Sequence, residues 1–396
     1  MSAETLDRRA TAAGARSVPR WRASLYRAAP ALGLFAAARL TGMLVLAAWA
    51  WHVGRSPRAL LATSWDSDWY TRIAAHGYGH TLHWPDGVVQ SDLAFFPLYP
   101  ALVRAVTTVL PVEGGTAGLL VSWLSAGAAA WGIYLIGERL HGRPTAVLLV
   151  LLWGLLPHSI VLSMAYTEPL MTALAAWSLY ALLTGRWLWA GTLAALAGLS
   201  RPNGVAVAAA VLVAAGCALW RGRGRGSGRG GPRVWAGAVL APAGWLSYLL
   251  WVGARRGDLL GGYFAVQDGW TSRFDLGRGA LRFVLEMLRG PTQFGFVMAL
   301  LITGAGVLLF ALLALVERPP LPVLVYTAVL VVITVGGSGF FESKPRFLLP
   351  AFPLLLPLAR ALTKARPRAA IVVIAALAGL SFGFGAYALT LAHMAL

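Results

Sequence analysis

Long apolar runs recur along the whole chain, and they limit what it can fold into. Of the 396 residues, 58% are hydrophobic and only 12% are charged. Such a chain cannot surround a soluble core with a polar surface. No segment alternates apolar and polar residues over a long stretch, and backbone within lipid must be paired in helices or in a closed barrel. The sequence therefore predicts an all-α fold, a polytopic transmembrane helical bundle.

Runs of roughly 17 to 25 apolar residues are long enough to cross a bilayer. We predict about eleven spans, at 30–53, 116–137, 144–164, 168–184, 187–200, 203–220, 234–253, 291–316, 321–337, 346–363 and 369–391. The first run lacks a clear cleavage site, so it predicts a transmembrane helix and not a signal peptide. The run 95–110 is interrupted by Pro97, Pro100 and Arg104, which predicts an interfacial or re-entrant helix.

The net charge of +18 lies mainly in segments that flank the apolar runs. This is the pattern of membrane orientation, so it argues against nucleic acid as a partner. We predict a basic cytoplasmic segment at 1–29, a single transmembrane domain at 30–396 and a cytoplasmic Arg-Gly linker at 221–233. With the N-terminus inside, the loops 54–115 and 254–290 and most of the acidic residues lie on the outer side. The richness in Ala, Gly and Arg is typical of a GC-rich bacterial genome, and the single cysteine, Cys217, excludes an intramolecular disulfide.

Two carboxylates lie between aromatic residues just beyond the first predicted span, in Trp65-Asp66-Ser67-Asp68-Trp69-Tyr70. Carboxylates at a membrane edge usually do chemistry or bind a ligand. From distant parts of the chain, the predicted topology brings Arg201-Pro202-Asn203 and Ser343-Lys344-Pro345-Arg346 to the same face. We therefore expect a single site on the extracytoplasmic side.

Five short motifs, in this order, resemble those of the GT-C membrane glycosyltransferases. They are Trp65-Asp66 with Trp69-Tyr70, Ile73-Ala74 and Gly77-Tyr78; Ala94 to Pro100; Tyr166-Thr167-Glu168; Arg201-Pro202-Asn203-Gly204; and Pro345-Arg346-Phe347. Within that class they look most like the second mannosyltransferase of glycosylphosphatidylinositol assembly and its bacterial relatives. The resemblance covers residues 30 to 360, which is most of the chain.

The resemblance implies an inverting glycosyltransferase that moves a sugar, usually mannose, from a polyprenyl-phosphate carrier to an acceptor hydroxyl. The family's catalytic aspartate corresponds to Asp66, and a carboxylate base contributes about 10²–10⁴-fold. We give Asp68 a secondary catalytic role, or a part in sharing a cation with Asp66. The candidates for binding the donor phosphate are Arg201, Lys344 and Arg346, unless they are interfacial side chains that reach toward the headgroups. The candidates for binding substrate are Trp65, Trp69, Tyr70, Asp92, Glu168, Gln267 and Trp270.

Some of these residues have an equally simple structural interpretation. Asp92 is also a candidate N-cap for the interfacial helix. Glu168, followed by a proline, is typical of a first helical turn. Gln267 and Trp270 suit sugar recognition, but they are also compatible with an aromatic belt at the interface. Arg39, midway along the first span, is interpreted either as a ligand of a lipid phosphate or as a side chain paired within the bundle.

The sequence implies no cofactor. Four potential metal ligands lie close together in the sequence: His76, His80, His83 and Asp86. Gly77, Gly79 and Pro85 break the helix that would align them, so a metal site is disfavoured there. No strand and Walker lysine accompany the Arg-Gly linker, which argues against a nucleotide-sugar donor. The region 278–289 predicts an amphipathic helix on the outer surface.

The predicted partners are a polyprenyl-phosphate sugar, a glycan, lipid or protein acceptor, and membrane lipids. A transporter or flippase of a lipid-linked sugar is the competing interpretation, since it also needs interrupted helices and buried cations. It predicts polar groups at the bilayer midplane and on both faces, whereas here they gather at one face. The same transferase chemistry with another donor sugar is also compatible with the sequence, which does not identify the acceptor.

Overall fold

The computed structural model describes residues 20–223 and 231–392, and the regular secondary structure of this part of the chain is helical apart from one short β-hairpin. Most of the predicted N-terminal basic segment and the centre of the Arg-Gly linker lie outside the described residues. The remainder of that linker forms the ends of two helices. The all-α prediction is confirmed.

The helices before the linker are α1 (Arg20–His52), α2 (Pro57–Ala62), α3 (Asp66–His76), α4 (Leu98–Val109), α5 (Gly114–His141), α6 (Arg143–Gly154), α7 (Glu168–Leu183), α8 (Trp187–Gly198) and α9 (Val205–Arg223). After it come α10 (Gly231–Arg256), α11 (Gly262–Gly269), α12 (Arg278–Met287), α13 (Phe294–Leu312), α14 (Leu321–Gly336), α15 (Lys344–Phe347), α16 (Leu356–Lys364) and α17 (Pro367–Thr390). The hairpin strands are β1 (Thr81–His83) and β2 (Val89–Ser91), which are antiparallel with Leu82 opposite Gln90.

Six helical stretches of the described chain are long and apolar enough to cross a membrane. They are Trp21–His52, Gly114–His141, Pro202–Arg221, Gly231–Arg256, Phe294–Glu317 and Pro367–Thr390. A seventh candidate consists of Phe341–Phe347 and Phe352–Lys364, which are bent by 79° relative to each other. The protein is thus a multi-pass membrane protein, as the sequence predicts.

The predicted number of about eleven spans is not confirmed. Four of the predicted spans correspond to the shorter helices α6, α7, α8 and α14. The twelve residues of α6 rise by about 18 Å, which is less than the ~30 Å hydrocarbon core. Hydropathy alone counts such a segment as a span because it does not detect the break after Gly154, where Pro157 follows.

Small residues allow α8 and α10 to pack backbone against backbone. A Cβ atom added to Gly191 would lie 2.4 Å from the carbonyl oxygen of Gly237, and one added to Gly244 would lie 1.9 Å from that of Ala195. Close helix contacts of this kind are favoured inside membranes, where the hydrophobic effect does not drive helices together.

A buried arginine stabilises the break after α6. Nη1 of Arg39 donates a hydrogen bond to the carbonyl oxygen of Gly154 at 2.8 Å and also contacts Oγ of Ser159. Ser159 in turn hydrogen-bonds Ser381 of α17 at 3.0 Å. Arg39 therefore pairs within the bundle, and the alternative of a lipid-phosphate ligand has no support in these contacts.

The two regions that the sequence predicts to be outer loops, 54–115 and 254–290, contain several of the shorter elements. The first carries α2, α3, the β-hairpin and α4, which lies within the predicted interfacial run. The second carries α11 and α12, and none of the residues of α12 is buried. The helix predicted at 278–289 is thus present as α12, and its position on the outer surface stays a prediction.

Candidate active site

The first candidate catalytic residue lies at the beginning of α3. Trp65, just before this helix, has a φ of 49°, a conformation that a bulky side chain rarely adopts, and Asp66 is the first helical residue. The Asp66 side chain is 18% exposed, whereas that of Asp68 is 58% exposed and pairs with Arg72 at 3.6 Å. Because successive helical residues are about 100° apart, the two carboxylates point in nearly opposite directions. The structure therefore gives them different cations.

Asp66 contacts an arginine from the far end of the chain. Nη1 of Arg346 lies 2.8 Å from Oδ2 of Asp66, and the arginine side chain is only 10% exposed. Arg346 lies in α15, the short helix before the 79° bend. The broken helix thus brings a cation to the N-terminus of α3.

A second acid and a second arginine complete the group. Glu168, the first residue of α7, has a fully buried side chain, and its Oε1 lies 2.6 Å from Nη1 of Arg201 and 3.7 Å from Nε of Arg346. Arg201 also donates a hydrogen bond to Oγ1 of Thr167 at 2.7 Å. We call Asp66, Glu168, Arg201 and Arg346 the charge cluster.

The hydrogen-bonding capacity of the charge cluster is not used up. Both carboxylate oxygens of Glu168, and Nε and Nη1 of Arg346, are buried and have no hydrogen-bond partner among the described residues. Three of these atoms, Oε1, Nε and Nη1, lie at ion-pair distances from an opposite charge. Buried polar atoms are normally satisfied by partners. The cluster is therefore suited to accept polar groups of a ligand.

Aromatic rings surround the two guanidinium groups. Arg346 lies over the rings of Tyr166 and Phe347 at 5.3 Å, and Arg201 lies 5.7 Å from the Phe347 ring. The hydroxyl of Tyr70 hydrogen-bonds Thr167 at 3.3 Å, and burial raises the pKa of this phenol above its ordinary value. Tyr70 therefore stays a neutral hydrogen-bonding group beside the charges.

Two residues of this site, Tyr166 and Thr167, are absent from the candidates derived from the sequence. They contact Arg346 and Arg201, respectively. The motif Tyr166-Thr167-Glu168 contained the necessary signal, since it placed both residues directly before the acid. Sequence reasoning singled out the charged member of the motif and overlooked its neutral neighbours.

Lys344 has different partners from the two arginines. Its Nζ donates to the carbonyl oxygens of Thr334 and Gly337, both at 2.6 Å, at the C-terminal end of α14. A cation stabilises this end of a helix because the last carbonyl groups carry partial negative charge. No ion pair of Lys344 with Asp66 or Glu168 is found in the described part of the chain. Its role in phosphate binding stays a prediction.

Asp92 does not cap α4, so that alternative was wrong. The N-cap of α4 is Pro97, whereas Oδ2 of Asp92 accepts hydrogen bonds from the backbone N–H groups of Gly79 and His80, both at 2.8 Å. Asp92 is 1% exposed. It therefore fixes the loop that follows α3.

The remaining aromatic candidates form contacts between the region 54–115 and the region 254–290. The Trp69 ring stacks on Phe95 at 5.4 Å and meets Trp270 edge-on at 5.1 Å. Trp270 donates its indole N–H to the carbonyl oxygen of Ser91 at 3.0 Å, and Gln267 donates to the Tyr263 hydroxyl at 2.6 Å. Trp65 is partly buried against the main core. The role of these residues in substrate binding stays a prediction.

Metal ligands do not gather in the described residues. No group of three or more His, Cys, Asp or Glu side chains there is close enough to hold an ion. The expectation that the protein needs no metal stays a prediction.

Comparisons with known proteins connect this geometry to a fold. Residues 94–256 match the family described as dolichyl-phosphate-mannose-protein mannosyltransferase. The structure resembles ArnT from Cupriavidus metallidurans bound to undecaprenyl phosphate, with a TM-score of 0.54 and 16% identity over 87% of this chain. It also resembles the Archaeoglobus fulgidus oligosaccharyltransferase in the apo form, with a TM-score of 0.50 and 14% identity over 91% of this chain. The protein has the GT-C glycosyltransferase fold.

The chain spans less than two thirds of the length of each of these two proteins, 62% of ArnT and 56% of the oligosaccharyltransferase. A search of curated proteins found no match. The matched family region contains Glu168 and Arg201 but neither Asp66 nor Arg346. The narrower resemblance to the glycosylphosphatidylinositol enzyme is not supported by these comparisons.

Proposed function

We propose that the protein is an inverting glycosyltransferase that uses a polyprenyl-phosphate sugar, with mannose as the sugar, at the extracytoplasmic membrane face. The observation that carries the proposal is the 2.8 Å contact between Asp66 and Arg346 within a mostly buried charge cluster. A candidate base therefore lies beside a candidate phosphate ligand. The matched mannosyltransferase family supports mannose, and the undecaprenyl phosphate bound to ArnT supports the carrier.

The reaction requires one proton acceptor and one anion-binding group. The acceptor hydroxyl oxygen attacks the anomeric carbon on the side opposite the phosphate, and Asp66 takes the hydroxyl proton. The bond between the anomeric carbon and the phosphate oxygen breaks, and its electron pair stays with the phosphate. Arg201 and Arg346 stabilise the charge that grows on this leaving group. The products are the glycosylated acceptor, with inverted configuration, and the polyprenyl phosphate.

The charge cluster is balanced before the reaction, because Arg201 and Arg346 face the carboxylates of Asp66 and Glu168. When Asp66 takes the hydroxyl proton, its carboxylate becomes neutral and the two arginines face a single acid. This excess of one positive charge in the cluster favours the negative charge that grows on the leaving phosphate.

Asp68 provides a matched control for testing the base. Membranes with the parent, Asp66→Asn or Asp68→Asn receive polyprenyl-phosphate mannose labelled in the sugar, and transfer to the membrane acceptors is measured. We expect Asp66→Asn to lower the rate about 10²–10⁴-fold. Asp68→Asn should stay within a few-fold of the parent, because its side chain is exposed and turned away from Arg346.

The experiment tests the role of Asp66 as the base separately from the choice of mannose as the donor sugar. Full activity of correctly inserted Asp66→Asn protein would contradict the proposed base. Parent activity with another polyprenyl-phosphate sugar, but none with mannose, would contradict the choice of mannose and keep the reaction type. Equal protein amounts in the membrane are confirmed by immunoblotting.

A further inference from the structure

A pocket lies at the C-terminal end of α3, on the helix that carries Asp66. Its volume is about 230 Å³, and it is lined by Arg72, His76 and the loop Gly77-Tyr78-Gly79-His80. The pocket is smaller than the roughly 300–1,000 Å³ of sites for drug-sized ligands. This volume suits a single sugar ring.

The loop that forms one wall of the pocket is held in place by hydrogen bonds to residues outside the pocket. The buried carboxylate of Asp92 binds two of its N–H groups, and the hydroxyl of Tyr78 donates to the carbonyl oxygen of Phe95 at 2.8 Å. Gly77 and Gly79 have φ values of 79° and 136°, which favour glycine. The wall is therefore pre-organised, which lowers the entropic cost of binding.

The lining favours a neutral ligand with hydroxyl groups. Two imidazoles, a guanidinium and a tyrosine ring offer hydrogen bonds and an apolar surface. The charge of Arg72 is offset by Asp68 at 3.6 Å, and the Asp92 carboxylate lies directly behind the loop. These two acids lower the positive charge near the pocket, which favours a neutral ligand over an anion.

The position of the pocket relative to Asp66 indicates which substrate it serves. Arg72 is six residues after Asp66, so the α-helical rise separates them by about 9 Å. Trp69 lies between them on the same side of α3 as Arg72 and His76, and its ring is 5.4 Å from that of His80. The donor sugar has to lie at the charge cluster. A ligand in the pocket is therefore part of the other substrate, the acceptor.

We propose that this pocket is an acceptor subsite that binds a neutral sugar ring one or two units away from the hydroxyl that is glycosylated. This inference rests on the proposed transferase function. It assigns to His76 and Arg72 a role in acceptor binding that is separate from the chemistry at Asp66. It also predicts that the acceptor is a glycan and extends along Trp69.

Binding is measured without any transfer reaction. The full chain, in a detergent without a sugar headgroup, is mixed with the methyl glycosides of glucose, mannose, galactose and N-acetylglucosamine, and with methyl glucuronide as an anionic probe. Saturation-transfer NMR then reports which probe contacts the protein. We expect a signal from at least one neutral glycoside that exceeds the glucuronide signal.

Two histidines provide the matched variants. His76→Ala should lower the signal at least threefold, and His76→Gln should restore part of it through its amide hydrogen bonds. His83→Ala should leave the signal unchanged, because His83 is exposed on β1 and does not line the pocket. Asp66→Asn should also keep the signal, so failure of the proposed base does not affect this test.

Three outcomes would overturn the proposal. They are a signal that is equal in His76→Ala and the parent, a stronger signal from glucuronide than from every neutral glycoside, and no signal from any neutral glycoside. Each leaves the proposed transfer reaction at Asp66 intact, because that reaction is judged from labelled sugar alone.

Discussion

Replacing Glu168 by glutamine tests whether this acid balances both arginines of the charge cluster. With an effective dielectric constant of about 20, unit charges 2.6 Å apart attract by roughly 6 kcal/mol, and those 3.7 Å apart by roughly 4.5 kcal/mol. The cost of removing the groups from water offsets much of this attraction. Loss of one partner of a buried pair typically costs about 3–5 kcal/mol, since it leaves an uncompensated charge. We expect Glu168→Gln to lower the free energy of unfolding by that amount.

The assay is unfolding of the purified protein in mixed micelles with increasing dodecyl sulfate, followed by tryptophan fluorescence. Glu113→Gln is the control, because Glu113 pairs with Arg58 while 76% exposed, and such pairs contribute at most about 1 kcal/mol. A Glu168→Gln/Arg201→Gln double variant should lose less than the sum of the two single variants, since one orphaned charge is removed. A Glu168→Gln protein within about 1 kcal/mol of the parent would refute the reasoning.

Three further substitutions test the assignments of neighbouring residues. Asp92→Ala should speed amide hydrogen exchange at Gly79 and His80 and destabilise the protein by about 1–3 kcal/mol, because two partly buried N–H groups lose a charged acceptor. Unchanged exchange would contradict this. Lys344→Met should lower the free energy of unfolding by about 1–3 kcal/mol, because the α14 carbonyl groups lose their donor. An unchanged free energy would contradict these contacts, and an unchanged apparent KM for the sugar donor would contradict the predicted role of Lys344 in phosphate binding. Arg346→Lys should lower kcat about 10²–10³-fold, because a point charge replaces a bidentate guanidinium, and a near-normal kcat would exclude Arg346 from stabilising the leaving group.

The fold was predictable because hydropathy reports burial in lipid directly. Every predicted apolar run contains helix, but its interruptions were predicted less well. The run 346–363 contains Pro350, Pro353 and Pro357, which disfavour an uninterrupted helix, and the structure shows a 79° bend there. The break after α6 is stabilised by Arg39, which is more than 100 residues away in sequence. No local sequence pattern near Gly154 indicates this contact. Such tertiary partners are not encoded in a hydropathy window.

The grouping of charged residues in the candidate site was predictable, because it follows from their charge and from the predicted membrane face on which they lie. Asp66, Arg201 and Arg346 were brought together by topology and motif order. The separation of Asp68 from Asp66 follows from helical geometry, but it required knowing that α3 begins at Asp66. The contacts of Lys344 depend on where α14 ends relative to the next turn, which no spacing rule specifies.

The ion pair between Asp66 and Arg346 joins residues that are about 280 positions apart in the chain. At about 5–20 residues per second, a ribosome adds Arg346 roughly 14 to 56 s after Asp66. Glu168 and Arg201, by contrast, are only about 30 positions apart, so they can pair within a few seconds. One half of the charge cluster is thus available early in membrane insertion. The half that contains the proposed base is completed only after α14 and α15 have been synthesised, which makes assembly of the site one of the last steps in the biogenesis of the protein.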